Sequence, residues 1–235
     1  MEAASLSFGA GRVKYNSVLR SDLKDSQQDP VLTRELSAFG DLLMEMEACG
    51  AAPLLPDGKV AGNGAFISSQ RSGVFVSRSG KEKGARCGPE DFVLLHHFDA
   101  KAWKAEFSSY SGHHPSSDSP LLWSSLHMTS ERYGWVEQPR VALHGHALAD
   151  EESAMRLGIP ISSEETLFST REDLESLESL FCKHPYPSTQ IYIRKNHGFF
   201  LLAPSLDAAK DLFHNRIAPY TQSLSMCDLT ASADS

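Results

Sequence analysis

Residues 141–146, Val-Ala-Leu-His-Gly-His, join an apolar run typical of a buried β-strand to two histidines spaced i and i+2. On a strand, two such residues point to the same face, about 6.5–7 Å apart at the backbone. Their imidazoles could close on one metal ion, because neutral imidazole is the commonest protein metal ligand. With 10 histidines in 235 residues, about 0.4 such pairs are expected by chance. A strand end without a metal is therefore an equally good interpretation at this point.

Length and composition indicate an ordinary globular protein. A chain of 235 residues suits one α/β domain or two small ones and can bury a substantial core. Hydrophobic residues make up 41% and charged residues 22% of the chain, as in average soluble domains. The formal net charge of −8 argues against a nucleic acid or an anionic membrane as the main partner. It leaves room for a local basic pocket that binds one phosphate.

The cysteines and the hydropathy pattern predict a cytoplasmic protein. No CxxC motif occurs, and the cysteines lie far apart, at Cys49, Cys87, Cys182 and Cys227. In a chain of this size that pattern favours reduced thiols. No apolar run approaches the roughly 18 residues of a membrane span, and the N-terminal residues lack the apolar core of a signal peptide.

Composition divides the chain into three parts. Residues 1–28 are rich in Ser, Asp and Lys, which predicts a flexible arm or a loosely docked leader. Residues 29–220 form the globular domain, and residues 221–235 form a polar tail. The domain opens with Asp29 as a helix N-cap and Pro30 at the first helical position.

Apolar periodicity predicts alternating helices and strands within the domain. Helical spacing favours helices at residues 30–49, 120–133, 171–183 and 206–217. Strand-like runs lie at residues 66–68, 73–77, 92–97, 140–143, 190–194 and 199–203. Residues 147–170 are polar and acidic, and we expect loop and a short helix there.

Two glycine-backed loops are candidate anion sites. One contains Gly62-Asn63-Gly64, and the other is Ser79-Gly80 at the end of a predicted strand. Glycines beside hydroxyl and amide side chains let backbone N–H groups approach an anion closely. Without further context, ordinary hairpin turns explain both loops better.

A predicted helix start provides a third candidate. Ser119 as N-cap and Pro120 at the first position form a strong start signal. Because a helix N-terminus favours anions, the preceding Ser116 and Ser117 are plausible phosphate ligands. Asp118 lies at the same end, where it can also be interpreted as a capping carboxylate.

Two pairs of adjacent histidines, at residues 96–97 and 113–114, are poor metal-site candidates. Adjacent residues on a strand point to opposite faces, so one ion cannot easily bind both rings. We expect these histidines to lie at the surface or beside other groups.

Five motifs occur in one order along the domain. They are Gly-Asn at 62–63, Ser-Gly at 79–80, Pro-Ser-Ser-Asp at 115–118, His-x-His at 144–146 and Asn-His-Gly at 196–198. Each motif is weak alone, but five in register are strong. Together they resemble the class II aldolase/adducin family, which includes fuculose-phosphate aldolase, ribulose-5-phosphate 4-epimerase and methylthioribulose-phosphate dehydratase. The resemblance covers nearly the whole globular part.

The resemblance implies a fold and a metal. The expected fold is α/β, a three-layer α/β/α domain around a largely antiparallel central sheet. Such domains usually assemble as four-fold homo-tetramers with active sites between subunits. By position, His144, His146 and His197 would bind Zn²⁺.

The resemblance also implies a substrate site. Residues that match the family's phosphate-binding positions are Asn63, Ser79, Gly80, Ser116 and Ser117. The matching catalytic candidates are Asp118, as acid/base or metal neighbour, and Tyr220, as the C-terminal tyrosine that family members often add to the site.

The sequence departs from the family at the substrate site more than at the metal. The usual Gly-Asn-Ile-Ser is here Gly-Asn-Gly-Ala at residues 62–65, and Ser77 stands where Thr or Lys is usual. The function implied first is a zinc-dependent aldolase or epimerase that acts on a sugar phosphate through a metal-stabilised enediolate. A sugar-phosphate dehydratase and a non-catalytic, adducin-like interaction domain are the alternatives. Adducin-type domains have lost metal ligands, whereas all three histidines are kept here.

Overall fold

A computed structural model of the chain describes residues 15–23, 29–110, 112–127 and 132–221. One eight-stranded mixed sheet forms the centre, in the order β1-β5-β4-β3-β2-β6-β8-β7. Its strands are β1 (Asn16–Asp22), β2 (Gly62–Phe66), β3 (Val74–Ser77), β4 (Phe92–Asp99), β5 (Lys104–Ser109), β6 (Val141–Gly145), β7 (Ile191–Arg194) and β8 (Gly198–Ala203). Only the β1–β5 pair is parallel. The predicted α/β fold around a largely antiparallel sheet is confirmed.

Helices cover both faces of the sheet. They are α1 (Pro30–Ala48), α2 (Ser119–His127), α3 (Glu151–Leu157), α4 (Arg171–Lys183) and α5 (Leu206–Arg216), with a 3₁₀ turn at Pro89–Asp91. Apolar side chains of α1, α3 and α5 pack in one core cluster, and those of α2 and α4 in a second. The strands alternate between the two clusters: Phe199 and Leu201 face the first, Phe200 and Leu202 the second. Because successive side chains of a strand point to opposite faces, a strand buried on both faces has apolar residues at nearly every position.

Strand β6 lies between β2 and β8 in the interior of the sheet. Its register places His144 opposite Asn63 of β2 and opposite Phe200 of β8. All five residues of β6 are buried. The C-terminal end of β6, with its two histidines, therefore lies beside the first residues of β2 and β8.

Helix starts agree with the capping signals. Asp29 Oδ1 accepts hydrogen bonds from the backbone N–H groups of Val31 (2.9 Å) and Leu32 (3.1 Å). Ser205 caps α5 through the N–H of Ala208 at 3.2 Å. Each cap satisfies donors that have no partner inside the helix.

Strand β1 lies within the segment for which the sequence predicts an arm. It pairs with β5 at the edge of the sheet, and Tyr15, just before it, is 7% exposed. Nearly every residue of β1 itself is exposed, so the strand lacks the apolar alternation by which a half-buried strand is identified. Residues 1–14 and 24–28 lie outside the described residues, as do residues 222–235 of the predicted tail.

Three other elements differ from the prediction. Strand β2 begins at Gly62, so the predicted anion loop is part of the sheet rather than a turn before it. Strand β5 has no counterpart in the prediction. Helix α2 is described over Ser119–His127 and is buried over Ser119–Leu126 rather than along one face, because it packs in the second core cluster. Residues 128–131 of the predicted helix lie outside the described residues. Among the described residues, no helix is long and apolar enough to cross a membrane.

Candidate metal centre and its cavity

Three histidines meet at the end of the central strands. His144 lies in β6, His146 directly follows that strand, and His197 lies in the turn between β7 and β8. One ring nitrogen from each lies within 4.8 Å of the others, and no other group of three potential ligands is found among the described residues. The pairing of Gly145 with Phe199 brings the turn that holds His197 against the end of β6. The predicted trio is therefore brought together.

Glycine is needed where the two strands approach each other. Gly198 has a φ of +136°, a conformation that L side chains rarely adopt. A Cβ atom on Gly198 would also collide with the backbone carbonyl of Gly145. A glycine after His197 therefore lets the histidine turn close on β6.

The protonation state of the histidines suits a metal. His144 Nδ1 lies 2.7 Å from the carbonyl oxygen of Phe199. Because a carbonyl only accepts, Nδ1 carries the proton, and the lone pair of Nε2 is left for a ligand. Burial lowers the pKa of His144 to about 3 and also lowers the pKa of His197, with the charge of Arg194 acting in the same direction at both. Neutral imidazoles of this kind fit a divalent transition metal.

Asp118 lies beside the trio, directly before α2. Its Oδ2 accepts a hydrogen bond from Asn63 Nδ2 at 2.7 Å and lies 3.6 Å from His144 Nε2. Its Oδ1 accepts a hydrogen bond from Ser169 Oγ at 3.0 Å. Burial raises the pKa of Asp118, but the positive charge of Arg194, the neighbouring His144 and His197 and the hydrogen bond from Asn63 together lower it by more, so the pKa lies well below its ordinary value. The carboxylate is thus ionised and faces the histidines.

The capping role considered for Asp118 is not what its side chain does. The N–H groups of Leu121 and Leu122 both donate to the backbone carbonyl of Asp118, at 3.0 Å each. The carboxylate oxygens point instead to Asn63 and Ser169. This orientation frees the carboxylate for the site.

A buried arginine supports Asp118 from behind. Arg194 is 3% exposed and pairs with Asp173 through two contacts, one of them Nε to Oδ1 at 3.2 Å. Its Nη1 lies 3.7 Å from Asp118 Oδ1 and 3.5 Å from His144 Nε2. Sequence reasoning missed Arg194 and Asp173. The only signal was a charged residue at the end of the apolar run Ile-Tyr-Ile-Arg at residues 191–194.

A cavity of about 130 Å³ opens beside the histidines. It collects all five predicted phosphate-binding residues, together with Asp118 and two of the three histidines: Asn63, Ser79, Gly80, Ser116, Ser117, Asp118, His146 and His197. His144 is completely buried beneath it. Arg78, which follows Ser77 and is a possible cation for the phosphate site, also lines it, as do Phe168 and Lys81, which were not predicted.

Backbone pairing joins the two serine segments of the cavity. Ser79 N–H donates to the carbonyl of His114 at 2.9 Å, and Ser116 N–H donates to that of Ser77 at 3.0 Å. Arg78 and Pro115 form an isolated antiparallel bridge between the same segments. The Ser-Gly and Ser-Ser motifs are therefore adjacent although they lie far apart in sequence.

Both basic residues at the cavity already have internal partners. Arg78 Nε lies 2.5 Å from Asp91 Oδ1, and Lys81 Nζ lies 2.6 Å from Glu47 Oε2. An anion in the cavity would therefore be bound mainly by hydroxyl and amide groups rather than by an unpaired cation.

Asn63 has one atom without a partner. Its amide nitrogen donates to Asp118, whereas its Oδ1 is buried and has no hydrogen-bond partner among the described residues. A buried acceptor without a partner is costly, so this oxygen fits a position where a ligand or water supplies a donor.

Tyr220 is not brought to the cavity within one chain. It follows α5, and Arg156 of α3 lies over its ring at 5.3 Å from the centroid. It is not among the residues that line the cavity. Its assignment to the site stays a prediction.

The adjacent histidine pairs make other contacts. His96 Nε2 bonds with Ser108 Oγ at 2.8 Å, and His114 Nδ1 bonds with Ser17 Oγ at 3.0 Å. The ring of His97 packs edge-on against Trp123. None of these histidines belongs to the group of potential metal ligands found among the described residues.

The fold is that of the class II aldolases. L-Fuculose-1-phosphate aldolase from Thermus thermophilus is 21% identical, with 86% of this chain and 98% of that chain covered and a TM-score of 0.51. Sugar-phosphate aldolase from Thermotoga maritima is 13% identical, with 84% and 96% covered and a TM-score of 0.56. YgbL from Klebsiella pneumoniae, a putative aldolase/epimerase/decarboxylase, is 14% identical, with 82% and 88% covered and a TM-score of 0.56.

Sequence comparison alone finds less. No family model matches the chain, and no curated protein matches it. The resemblance predicted from five short motifs is therefore confirmed through the fold.

Proposed function

We propose that the protein is a metal-dependent enzyme of the aldolase or epimerase type that acts on a small sugar phosphate. One observation carries the proposal: three imidazoles and an ionised carboxylate converge beside one cavity, which hydroxyl and amide groups also line. The class II aldolase fold of the solved structures supports it.

His144, His146 and His197 would bind the metal, and we propose Zn²⁺ because three imidazole ligands with a fourth position left open are typical of catalytic zinc. When bound, the metal supplies Lewis-acid stabilisation of negative charge that develops on a substrate oxygen. The carbonyl of Phe199 orients the His144 ring for this task, since it fixes the proton on Nδ1.

Asp118 is the proposed proton acceptor. Its carboxylate borders the cavity and is held ionised by Arg194. It could therefore take a proton from substrate and return it later in the same turnover. Asn63 and Ser169 orient the carboxylate through one hydrogen bond to each oxygen.

The serine segments are the proposed phosphate site. Ser79, Gly80, Ser116 and Ser117 line one part of the cavity, and the hydroxyl groups among them can donate to phosphate oxygens. A phosphate held there would fix the position of the substrate relative to the histidines and Asp118, which makes the reaction effectively intramolecular.

The test is incubation of zinc-reconstituted protein with a panel of ketose 1-phosphates and ketose 5-phosphates, with products followed by ¹³C NMR. We expect dihydroxyacetone phosphate and an aldehyde from an aldolase, or the epimeric sugar from an epimerase. Loss of water would indicate the dehydratase. Any turnover by the metal-loaded protein should be lost in His197→Ala. If the metal-loaded protein turns over none of these substrates, an interaction domain is the better description.

We also propose the homo-tetramer that the resemblance implies, and a cytoplasmic location. The three described cysteines, Cys49, Cys87 and Cys182, are free thiols, which is consistent with a reducing compartment.

A further inference from the structure

We propose that Arg194 is a positioning residue, which competes with the metal for Asp118 and holds this carboxylate beside the histidines but outside the set of metal ligands. The inference rests on the metal site of the proposed function. It goes further in assigning a role to a buried arginine that no motif of the sequence indicated.

Arg194 is itself held rigidly. Its Nε and Nη2 both contact the carboxylate of Asp173, whose side chain is 1% exposed. Asp173 is fixed in turn by the N–H of Ser169 at 2.7 Å and by Thr166 Oγ1 at 3.0 Å. A guanidinium paired at two points to an immobile carboxylate keeps its third nitrogen in a defined direction.

That third nitrogen, Nη1, points to the metal site. It lies 3.7 Å from Asp118 Oδ1 and 3.5 Å from His144 Nε2. Nε2 is the atom of His144 left for a ligand, because Nδ1 is bonded to the carbonyl of Phe199. The positive charge of Arg194 therefore lies close both to Asp118 and to the atom of His144 that is left for a metal.

The charges explain why a competing cation matters. A carboxylate beside a divalent transition ion ordinarily becomes a ligand. Here Oδ1 of Asp118 is drawn toward Arg194 and Ser169, while Oδ2 accepts from Asn63. Each oxygen thus has a partner in the protein, and Asp118 is not part of the group of potential ligands found among the described residues, although its Oδ2 lies 3.6 Å from His144 Nε2. Asp118 stays a proton acceptor, and the metal keeps positions open for substrate.

Two other roles for Arg194 are less consistent with its surroundings. As a phosphate ligand it would have to reach substrate, but it is 3% exposed and is not among the residues that line the cavity. As a mere partner of Asp173 it would not need to direct Nη1 toward both Asp118 and His144.

Cobalt substitution provides the test, because the visible spectrum of protein-bound Co²⁺ reports the number and type of ligands without any turnover. We expect Asp118→Asn to leave the Co²⁺ spectrum of the wild-type protein unchanged. In Arg194→Met, Asp118 loses its competing partner and becomes a ligand of the ion, so we expect the spectrum to change. The affinity for Co²⁺ should rise about 10-fold, the lower end of the effects usually seen for residues around metal ligands. Adding Asp118→Asn to Arg194→Met should restore the wild-type spectrum.

Two further variants serve as controls. Arg194→Lys keeps a positive charge and should keep the wild-type spectrum. Arg132→Met breaks a different arginine–carboxylate pair, with Glu178, and should also leave the spectrum unchanged. If Arg194→Met does not fold, Arg194→Met/Asp173→Asn takes its place, since it also removes the buried charge of Asp173 that Arg194→Met leaves unpaired.

The proposal is overturned if Asp118→Asn alone changes the Co²⁺ spectrum, because Asp118 would then already be a ligand. It is also overturned if removal of Arg194 leaves the spectrum unchanged in protein that binds Co²⁺. Failure of the wild-type protein to bind Co²⁺ at all would instead overturn the proposed function itself.

Discussion

At the scale of single residues, the site is defined by buried groups, each of which its surroundings hold in one protonation state. His144 is completely buried, its pKa is lowered to about 3 by burial, and the Phe199 carbonyl fixes its tautomer. Asp118 is buried as well, yet Arg194 keeps it ionised. The neutral Nε2 of His144 and the charged Oδ2 of Asp118 thus lie 3.6 Å apart.

The first prediction concerns metal content. We expect about one zinc ion per chain, and loss of each ligand, in His144→Ala, His146→Ala or His197→Ala, should weaken binding by more than about 100-fold. Elemental analysis of tag-free protein after zinc incubation and desalting measures this. The half-buried His113, which lies outside the histidine trio, is replaced by alanine as the control, and this variant should keep its metal. Wild-type protein that remains metal-free would contradict the prediction.

The second prediction concerns Asp118 as a proton acceptor. Asp118→Asn should keep zinc near one per chain, because its carboxylate is held by Asn63, Ser169 and Arg194. Turnover should fall by about 10²–10⁴, the usual contribution of general acid–base catalysis. Metal lost in step with activity would show that Asp118 is a ligand instead. If the variant keeps both its zinc and its turnover, Asp118 has only a structural role.

The third prediction concerns the phosphate site. Replacing Ser116 and Ser117 by alanine removes two hydroxyl groups at the cavity, and we expect binding of inorganic phosphate to weaken by about 1–3 kcal/mol. Isothermal titration calorimetry measures the loss. Ser163, which is exposed, serves as the matched control. Wild-type protein without affinity for phosphate would leave these loops as plain turns.

At the scale of elements, the sheet and its helix caps set the positions of the site residues. β6 carries His144, β2 carries Asn63 opposite to it, and β7 carries Arg194. Asp118 lies at the start of α2, where its backbone carbonyl accepts hydrogen bonds from the N–H groups of Leu121 and Leu122. Its side-chain carboxylate is therefore not used as a helix cap and faces the histidines. Each functional group thus comes from the end of an element whose interior is apolar.

The fourth prediction tests the cap of α1. Asp29→Ala removes the acceptor of two N–H groups at the start of the helix, and we expect the free energy of unfolding to fall by about 0.5–2 kcal/mol. Urea denaturation followed by circular dichroism gives the change. Asp41→Ala, on the exposed face of the same helix, should shift the free energy by less than about 0.5 kcal/mol. Equal effects of the two changes would argue against a capping contribution.

At the scale of the whole molecule, the two sides of the sheet have separate cores and the site lies where strands end. Leu143 and Phe199 belong to the cluster with α1, whereas Ala142 and Phe200 belong to the cluster with α2. Strands β6 and β8 contribute to both cores, whereas α2 packs in the second. The cavity therefore depends on the complete domain rather than on one local motif.

The fifth prediction is the homo-tetramer. It follows from the family resemblance, in which active sites lie between subunits, and it would give Tyr220, which lies outside the cavity of its own chain, a route to a neighbour's site. Multi-angle light scattering at micromolar concentration should give about four times the mass of 25.8 kDa. A monomer mass under these conditions would count decisively against it.

The sequence by itself determined the elements with strong local signals and the residues that lie in ordered motifs. Arg171–Lys183 was predicted to be a helix with these bounds because its leucines have helical spacing, and the histidine trio was predicted because two of its members share a strand face and the third matches a family motif. Local rules suffice for the helix, since periodicity and capping involve neighbours in the chain.

Only the tertiary structure decided the charges around the metal and the edge of the sheet. Arg194 and Ser169 meet Asp118, and Asp173 meets Arg194, across long sequence separations. Nothing in their local sequence indicates that these residues belong together. Strand β1 has mostly exposed side chains and exists through its pairing with β5. The physical reason is the same in both cases: ion pairs and strand pairing are interactions between distant segments, so they leave no periodic pattern in the chain itself.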